Sequence, residues 1–364
     1  MKRVKVSLGA RSYDILIGDG LLSNSGVIIK KLDIGTDAVV ITNKTLERAY
    51  GKTLKRSLNR SGISVKFEIL PDSEKAKSPH ILLRVLNRIA VYDRNRSIFI
   101  IALGGGVVGD LAGFAAAVYK RGIPYAQIPT TLLAHVDSSV GGKTAIDLFA
   151  AKNLAGAFYQ PRVVISDINV LMSLSPRQVR SGLAEIIKYG VIKDRALFVY
   201  LERNYRKAID LDKKTIAHLV MRSIRIKARL VEEDELDRKG KRIILNFGHT
   251  IGHAIETAAS YSNKYSHGEA IAIGMCAAAD IAFRLNLIKK NDAERIESLI
   301  KKCGLPTKVE DLNFNKIYEA HLRDKKFARN RNRFVLPYAV GNARVVEAVP
   351  DRVVTEAVKK RLVN

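Results

Sequence analysis

The chain opens with two stretches in which apolar and polar positions alternate, Val4-Lys5-Val6-Ser7-Leu8 and Tyr13-Asp14-Ile15-Leu16-Ile17, separated by Gly9-Ala10-Arg11. A period of two buries one face of a strand and exposes the other, so the pair predicts a β-hairpin. Ala38-Val39-Val40-Ile41-Thr42 and Val65 to Leu70 read as further strands, with helical spacing from Leu46 to Leu58 between them. Ser78-Pro79 predicts a helix start, with Ser78 as N-cap and Pro79 at the first helical position. Ile81, Leu82, Val85, Leu86 and Ile89 form its apolar face. Ser97 to Leu103 reads as a continuous apolar strand, as in a parallel sheet covered on both sides. After Ser173-Leu174-Ser175-Pro176 the pattern turns helical, from Val179 to about Lys302, with interruptions near Asp210, Gly240 and Ser262–Tyr265. Near the end, Arg333 to Leu336 and Arg344 to Ala348 predict a hairpin turning through Val340-Gly341-Asn342. The pattern as a whole predicts an α/β N-terminal domain with a Rossmann-like parallel sheet over residues 1–172. A mainly α-helical domain follows over 173–364.

Composition fits two domains. The chain has 364 residues, of which 47% are hydrophobic and 27% charged, enough apolar material for two cores. No apolar run reaches the ~18 residues of a membrane span. The basic start Met1 to Lys5 leads into no apolar segment of signal-peptide type. With only two cysteines, Cys276 and Cys303, a disulfide scaffold is excluded and a reducing cytoplasm is expected. The net charge of +26 is spread evenly: 26 basic against 13 acidic residues over 1–182, and 36 against 23 over 183–364. Such a field attracts anionic substrates. A nucleic-acid-binding tail would concentrate the excess, so neither nucleic acid nor membrane is expected as a partner. The densest basic run, Arg323 to Arg333, is expected to be a loop between apolar segments.

Two polar segments carry candidate phosphate chemistry. Leu103 is followed by Gly104-Gly105-Gly106-Val107-Val108-Gly109-Asp110, in which Gly104, Gly106 and Gly109 satisfy G-x-G-x-x-G between a strand and a helix-like run from Leu111 to Val118. Glycines there let the backbone approach a pyrophosphate at a helix N-terminus. The strand is not the domain's first, and the next strand, Tyr125 to Ile128, ends in no ribose-binding acid. The expectation is therefore a dinucleotide bound in an unusual way. Pro129 to Asp147 is dense in small and polar residues and contains Gly141-Gly142-Lys143-Thr144. It is not a Walker A loop, because Asp137 stands where that motif needs glycine. Lys143, Lys152 and Asn153 still suit an oxyanion-rich ligand.

His249 and His253, four apart, share one helical face, and His267 follows 14 residues after His253. Glu185 lies in an earlier helical run. Three protein ligands with one open position define a catalytic zinc site, and spacing leaves open which three of these four coordinate.

Taken together and in order, these segments resemble the 3-dehydroquinate synthase family of sugar phosphate cyclases. The similarity runs from Asp72-Ser73-Glu74-Lys75-Ala76-Lys77-Ser78 through Gly104 to Gly122, Pro129 to Asn153, Gly182 to Asp194, Asp234 to Glu256 and His267 to Met275. The resemblance implies a cytoplasmic, NAD- and divalent-metal-dependent enzyme of the shikimate pathway and aromatic amino acid biosynthesis. The metal would be zinc, with cobalt as the alternative. The reaction implied takes 3-deoxy-D-arabino-heptulosonate 7-phosphate to 3-dehydroquinate and phosphate. It proceeds by transient oxidation of an alcohol by NAD, β-elimination of phosphate, re-reduction of the ketone and intramolecular aldol closure. The substrate's own phosphate is a candidate base for its elimination.

By the same resemblance the metal ligands are Glu185, His249 and His267, and His253 handles protons or contacts substrate. Substrate contacts are Arg121, Asp137, Lys143, Asn153, Lys188, Lys227, Arg242, Asn246, His253 and Lys326, the last not distinguished from Lys325. Of these, Lys143, Lys188, Arg242, Asn246 and His253 are the expected catalytic groups. NAD contacts are Asp72, Glu74, Lys77, Gly105, Gly106, Val107, Gly109, Asp110, Thr130, Thr131, Lys143 and Lys152. Arg121 resembles an arginine that reaches a neighbouring subunit, which implies a homodimer. The chain departs from the family pattern at Asp147, usually asparagine, at Ser173 to Gln178, and at Asn43-Lys44-Thr45. Other cyclases tend to alter Asp137 to Thr144, which is intact here. A metal-dependent polyol dehydrogenase would lack the Gly-Gly-Lys-Thr and Lys-Asn cluster and would release reduced NAD.

Overall fold

The computed structural model describes residues 1–149, 151–259, 264–327 and 332–363, with side chains omitted for 324–327. The chain divides into two compact units. One comprises Met1–Leu174 with Lys227–Leu236, the other Ser175–Ile226 with Asp237–Asn364. The sequence pattern placed a boundary at 172/173, with a single crossing; residues 227–236 group instead with the first unit.

In the first unit the opening hairpin forms as read. β1 (Lys2–Val6) pairs antiparallel with β2 (Tyr13–Gly18) across a 3₁₀ turn at Gly9–Arg11. Together with β3 (Asp37–Asn43), β4 (Ser64–Leu70), β5 (Ile98–Gly104), β6 (Tyr125–Pro129) and β9 (Val163–Asp167) they build a seven-stranded sheet of order β1-β2-β9-β6-β5-β3-β4. Every pairing except β1 with β2 is parallel. β5 is buried at every position, as its apolar composition requires. A separate hairpin joins β7 (Lys143–Ile146) to β8 (Ala155–Phe158). Helices cover the sheet: α1 (Ser25–Lys30), α2 (Lys44–Leu46), α3 (Lys52–Arg60), α4 (Pro79–Tyr92) and α5 (Gly106–Val118).

The single helix expected from Leu46 to Leu58 is broken into α2, a π turn at Glu47–Gly51, and α3. Gly51 sits against the Phe67 ring at this break. The helix after the glycine loop begins earlier than its apolar run, at Gly106. α4 starts as predicted, with the Ser78 hydroxyl accepting from the Ile81 amide.

The second unit is helical: α6 (Pro176–Lys193), α7 (Arg195–Ile209), the first part of α8 (Lys213–Glu233), α9 (His249–Ala258), α10 (His267–Arg284), α11 (Lys290–Lys302), α12 (Phe314–Phe327) and α13 (Asp351–Lys359). The hairpin of β10 (Arg333–Ala339) and β11 (Asn342–Glu347) appears where it was expected. The basic run read as a loop begins inside α12 instead, and residues 328–331 within it lie outside the described ones. No described helix is long and apolar enough to cross a membrane.

Candidate functional site

The three-donor cluster lies within the second unit. α6 begins with a capping box: Ser175 caps the helix, and its backbone N–H donates to the Gln178 side chain at 3.0 Å. Glutamine serves this role as glutamate would, so the departure at Ser173 to Gln178 leaves the helix start intact. Two and a half turns on, Glu185 and Lys188 lie three apart and both are buried. The Lys188 ammonium pairs with the Glu185 carboxylate and lies 5.0 Å from the centre of the Tyr189 ring. A carboxylate with no exposed surface needs such a counter-charge, because desolvating it alone costs several kcal/mol, on the order of the penalty for any buried ion.

α9 and α10 bring the imidazoles to that carboxylate through a seam of glycines. Gly248 takes a left-handed φ of 80°, and a Cβ there would stand 2.5 Å from Met275 Cγ. Gly252 would meet Ile271 at 2.6 Å, and a Cβ on Gly274 would overlap the Gly248 carbonyl oxygen. His249 therefore starts α9 close against α10, with its Nδ1 3.1 Å from the Phe247 carbonyl. His267 starts α10, whose cap is Ser266 with Glu269 completing a capping box. Arg177 grips the same Glu269 with Nη2 at 2.7 Å and Nε at 3.0 Å.

The Glu185 Oε1 is 3.7 Å from His249 Nε2 and 3.6 Å from His267 Nε2. All three donor atoms lie within 4.8 Å of one another. Two imidazoles and one carboxylate at this spacing fit a divalent ion with an open position. Burial, then Lys188, hold the His249 pKa well below its usual value, so its ring is neutral and ready to donate a lone pair. Burial also opposes charge on His267, but Glu185 and Glu256 on its two nitrogens raise it to about 10. A cation arriving there displaces a proton.

His253 shares the face with His249 as the spacing requires, but its side chain is exposed and its ring centre lies 5.2 Å from that of His249, nearly perpendicular to it. The pairing of His249 and His253 on one ion, suggested by spacing alone, is not the arrangement that brings donors to Glu185. His253 joins Glu256 and His267 in a second group of potential donors. Glu256 was missed in the sequence, although His249, His253 and Glu256 fall at i, i+4 and i+7 on one face. Arg242 is buried in a 3₁₀ stretch, Lys241–Asn246, while Asn246 at its end is exposed. Lys326, with its neighbour Lys325, lies outside the residues whose side chains are described.

The first unit holds a second cluster, around the glycine loop. Gly105 caps α5, and a Cβ on Gly104 would meet Val108 at 2.5 Å. A Cβ on Gly105, Gly106 or Gly109 would likewise come to 3.1 Å from Thr131, 3.3 Å from Ser138 and 3.1 Å from Gln127, and Val107 packs on the core beneath. The loop is thus held against the segment that follows β6, where the Thr130 amide donates to the Gly104 carbonyl. Lys77 is buried, donating to Asp110 at 2.8 Å and to the Asn153 side-chain oxygen. Burial opposes its charge, yet Asp110, Glu74 and Asp147 hold its pKa above the usual lysine value. Burial in turn pushes the Asp110 carboxyl up to about 6, against the pull of Lys77.

Asn153 adopts a left-handed φ of 56°, and its amide donates to Asp147 Oδ1 at 2.8 Å. Asp147 itself donates its amide to the Lys77 carbonyl. An asparagine could accept the Asn153 N–H equally well, so this departure preserves the turn. Lys152 stands 3.4 Å from Glu74, and Lys143 is exposed at the start of β7. Lys227 clamps Asp137, donating to its carbonyl at 2.7 Å and pairing with its carboxylate at 2.8 Å. Asp72 accepts from Asn43 and Thr45, which gives the other departure a structural role. Arg121 is exposed, with a left-handed φ of 65° next to the left-handed Lys120.

Comparison with known proteins places these clusters in context. Residues 67–181 match the 3-dehydroquinate synthase N-terminal family and residues 182–327 the 3-dehydroquinate synthase C-terminal family. A 3-dehydroquinate synthase of Pelotomaculum thermopropionicum is 44% identical over 344 residues, covering 94% of this chain and 92% of that one. Among solved structures, a 2-deoxy-scyllo-inosose synthase complexed with carbaglucose-6-phosphate, NAD+ and Co2+ has a TM-score of 0.89 at 27% identity, covering 99% of this chain and 100% of its own. The 2-epi-5-epi-valiolone synthase of Streptomyces hygroscopicus subsp. jinggangensis, with NAD+ and Zn2+ bound, has a TM-score of 0.88 at 25% identity, covering 97% and 98%. An iron-containing alcohol dehydrogenase shares the fold, with a TM-score of 0.68 at 17% identity and 96% and 97% coverage.

Proposed function

Since the chain belongs to the 3-dehydroquinate synthase family, we propose that it converts 3-deoxy-D-arabino-heptulosonate 7-phosphate to 3-dehydroquinate and phosphate, as a phosphate-eliminating carbon–oxygen lyase. The observation that carries the reading is the convergence of Glu185, His249 and His267 on one point. Structural relatives that hold NAD+ with Co2+ or Zn2+ support NAD and a divalent metal here, and we infer that the metal is zinc. When bound, the metal would supply a Lewis acid for an alcohol oxygen and the nicotinamide a reversible hydride acceptor.

The chain's own residues supply the rest. Glu185, His249 and His267 would hold the ion, and Lys188 pairs with Glu185, offering a cation beside it. Exposed His253 is placed to move protons next to His249. Arg242, fixed by burial, and exposed Asn246 suit the anionic oxygens of a sugar acid phosphate. In the first unit Gly105, Gly106, Val107 and Gly109 let a pyrophosphate approach the start of α5. Glu74, Lys77, Asp110, Thr130, Thr131 and Lys152 frame the nucleotide, and Asp72 is held ready by Asn43 and Thr45. Lys143, Lys227 and Asn153 present cations and an amide to the phosphorylated substrate, and Asp137, paired with Lys227, contacts it as well. The partner is a second copy of the chain in a cytoplasmic homodimer, with Arg121 directed to the neighbour.

The test is phosphate release from 3-deoxy-D-arabino-heptulosonate 7-phosphate with catalytic NAD, with and without a chelator. Chelator-sensitive release, formation of 3-dehydroquinate and no accumulation of reduced NAD are expected. Release only from other sugar phosphates would reassign the chain to the cyclases seen among its structural relatives. Accumulating reduced NAD with a polyol substrate would make it a dehydrogenase.

A further inference from the structure

We propose that Glu256 is a positioning residue for His267, accepting a hydrogen bond from its Nδ1 and so turning Nε2, with its lone pair, toward Glu185 and His249. The inference rests on the metal reading above. His267 Nδ1 is 3.5 Å from Glu256 Oε1, and its Nε2 is 3.6 Å from Glu185 Oε1. The ring thus stands between two carboxylates, one on each nitrogen. A neutral imidazole carries one proton, and a carboxylate can only accept. When a metal displaces the Nε2 proton, the nitrogen facing Glu256 keeps its own and Nε2 becomes the ligand.

His267 needs such help more than His249 does. Its backbone is fixed, because Ser266 and Glu269 cap α10, Arg177 grips Glu269, and Gly268 abuts Ser181 with no room for a Cβ. Its side chain is still 32% exposed, so packing alone does not fix the ring. The His249 side chain is only 13% exposed, and its Nδ1 already faces the Phe247 carbonyl at 3.1 Å. Both imidazoles therefore point Nδ1 at an oxygen acceptor and Nε2 at Glu185. α9 supplies both halves of this arrangement, a ligand at its first residue and the orienting carboxylate two turns later.

The rival role for Glu256 is that of a ligand to a second ion, with His253 and His267. Zinc titration of the full-length protein against a chromogenic chelator separates the two, using wild type, Glu256→Ala, Glu256→Gln and Glu185→Ala, together with the visible absorption of the cobalt-loaded forms. Glu256→Ala is expected to bind one zinc about 10- to 100-fold more weakly and to shift the cobalt bands, with its melting temperature before loading unchanged. Glu256→Gln, whose amide oxygen still accepts from Nδ1, is expected to recover most of the affinity. Wild-type affinity and spectrum in Glu256→Ala would overturn the proposal. So would loss of a second bound ion with the tight one retained. Wild-type affinity in Glu185→Ala, or a wild type that binds no zinc, would instead overturn the metal reading itself.

Discussion

At the scale of single residues, burial sets protonation before any ligand arrives. His135 has no exposed surface, its Nδ1 lies 2.5 Å from Ser166 Oγ, and its Nε2 has no hydrogen-bond partner among the described residues. Burial pushes its pKa down to about 3. The folded value lies below the ~6.5 of an unfolded chain, so the stabilisation is complete above pH 6.5 and is lost as pH falls toward 3. Urea unfolding should therefore show stability falling through that window with a His135 contribution of up to ~1.4 kcal/mol per pH unit. His135→Gln should flatten the slope by one proton's worth; identical slopes would show that His135 does not titrate this way. The ligand triad illustrates what residue spacing can and cannot convey. Four residues along α9 placed His249 and His253 on one face, which the structure repeats. That spacing did not show that His249 turns to a carboxylate from α6, because the meeting depends on tertiary packing across α6, α9 and α10.

At the scale of elements, that packing depends on the absence of side-chain atoms. Gly248, Gly252 and Gly274 let α9 lie on α10. A methyl at residue 274 would strike the Gly248 carbonyl, a backbone atom with little freedom to move. Gly274→Ala should destabilise the protein by about 1–3 kcal/mol, the usual cost of overpacking, and weaken zinc binding as His249 and His267 separate. An unchanged melting temperature and zinc affinity would show that the helices can part without disturbing the site. Strong patterns made most elements legible: the opening hairpin, β3 to β6, the capped start of α4 and the closing hairpin. β7 and β8 were not, since they are four residues each and β8 reads Ala-Gly-Ala-Phe, with little β-branched signal. The break in the helix after α2 was also hidden, because the apolar spacing from Leu46 to Leu58 runs through the π turn at Glu47–Gly51 without a change of period.

At the scale of the whole molecule, the excess of 62 basic over 36 acidic residues is shared equally by the two halves of the sequence. Its expected effect is on encounter rather than on chemistry. kcat/KM for the phosphorylated substrate should fall steadily as potassium chloride is raised, while kcat stays level. A salt-independent kcat/KM would deny the charge any part in substrate capture. The other global feature is the return of Lys227–Leu236 to the first unit. Lys227 reaches Asp137 across 90 positions, and Glu232 reaches the Ser7 amide across 225. On the ribosome, then, the first unit is not finished when its own strands have emerged. It waits for the contacts that Lys227 brings to Asp137 and Glu232 to the Ser7 amide until the end of α8 has left the exit tunnel. The two units are thus woven together in time as well as in sequence, and a fragment stopped at Leu174 would be an unfinished fold rather than a separable nucleotide-binding module.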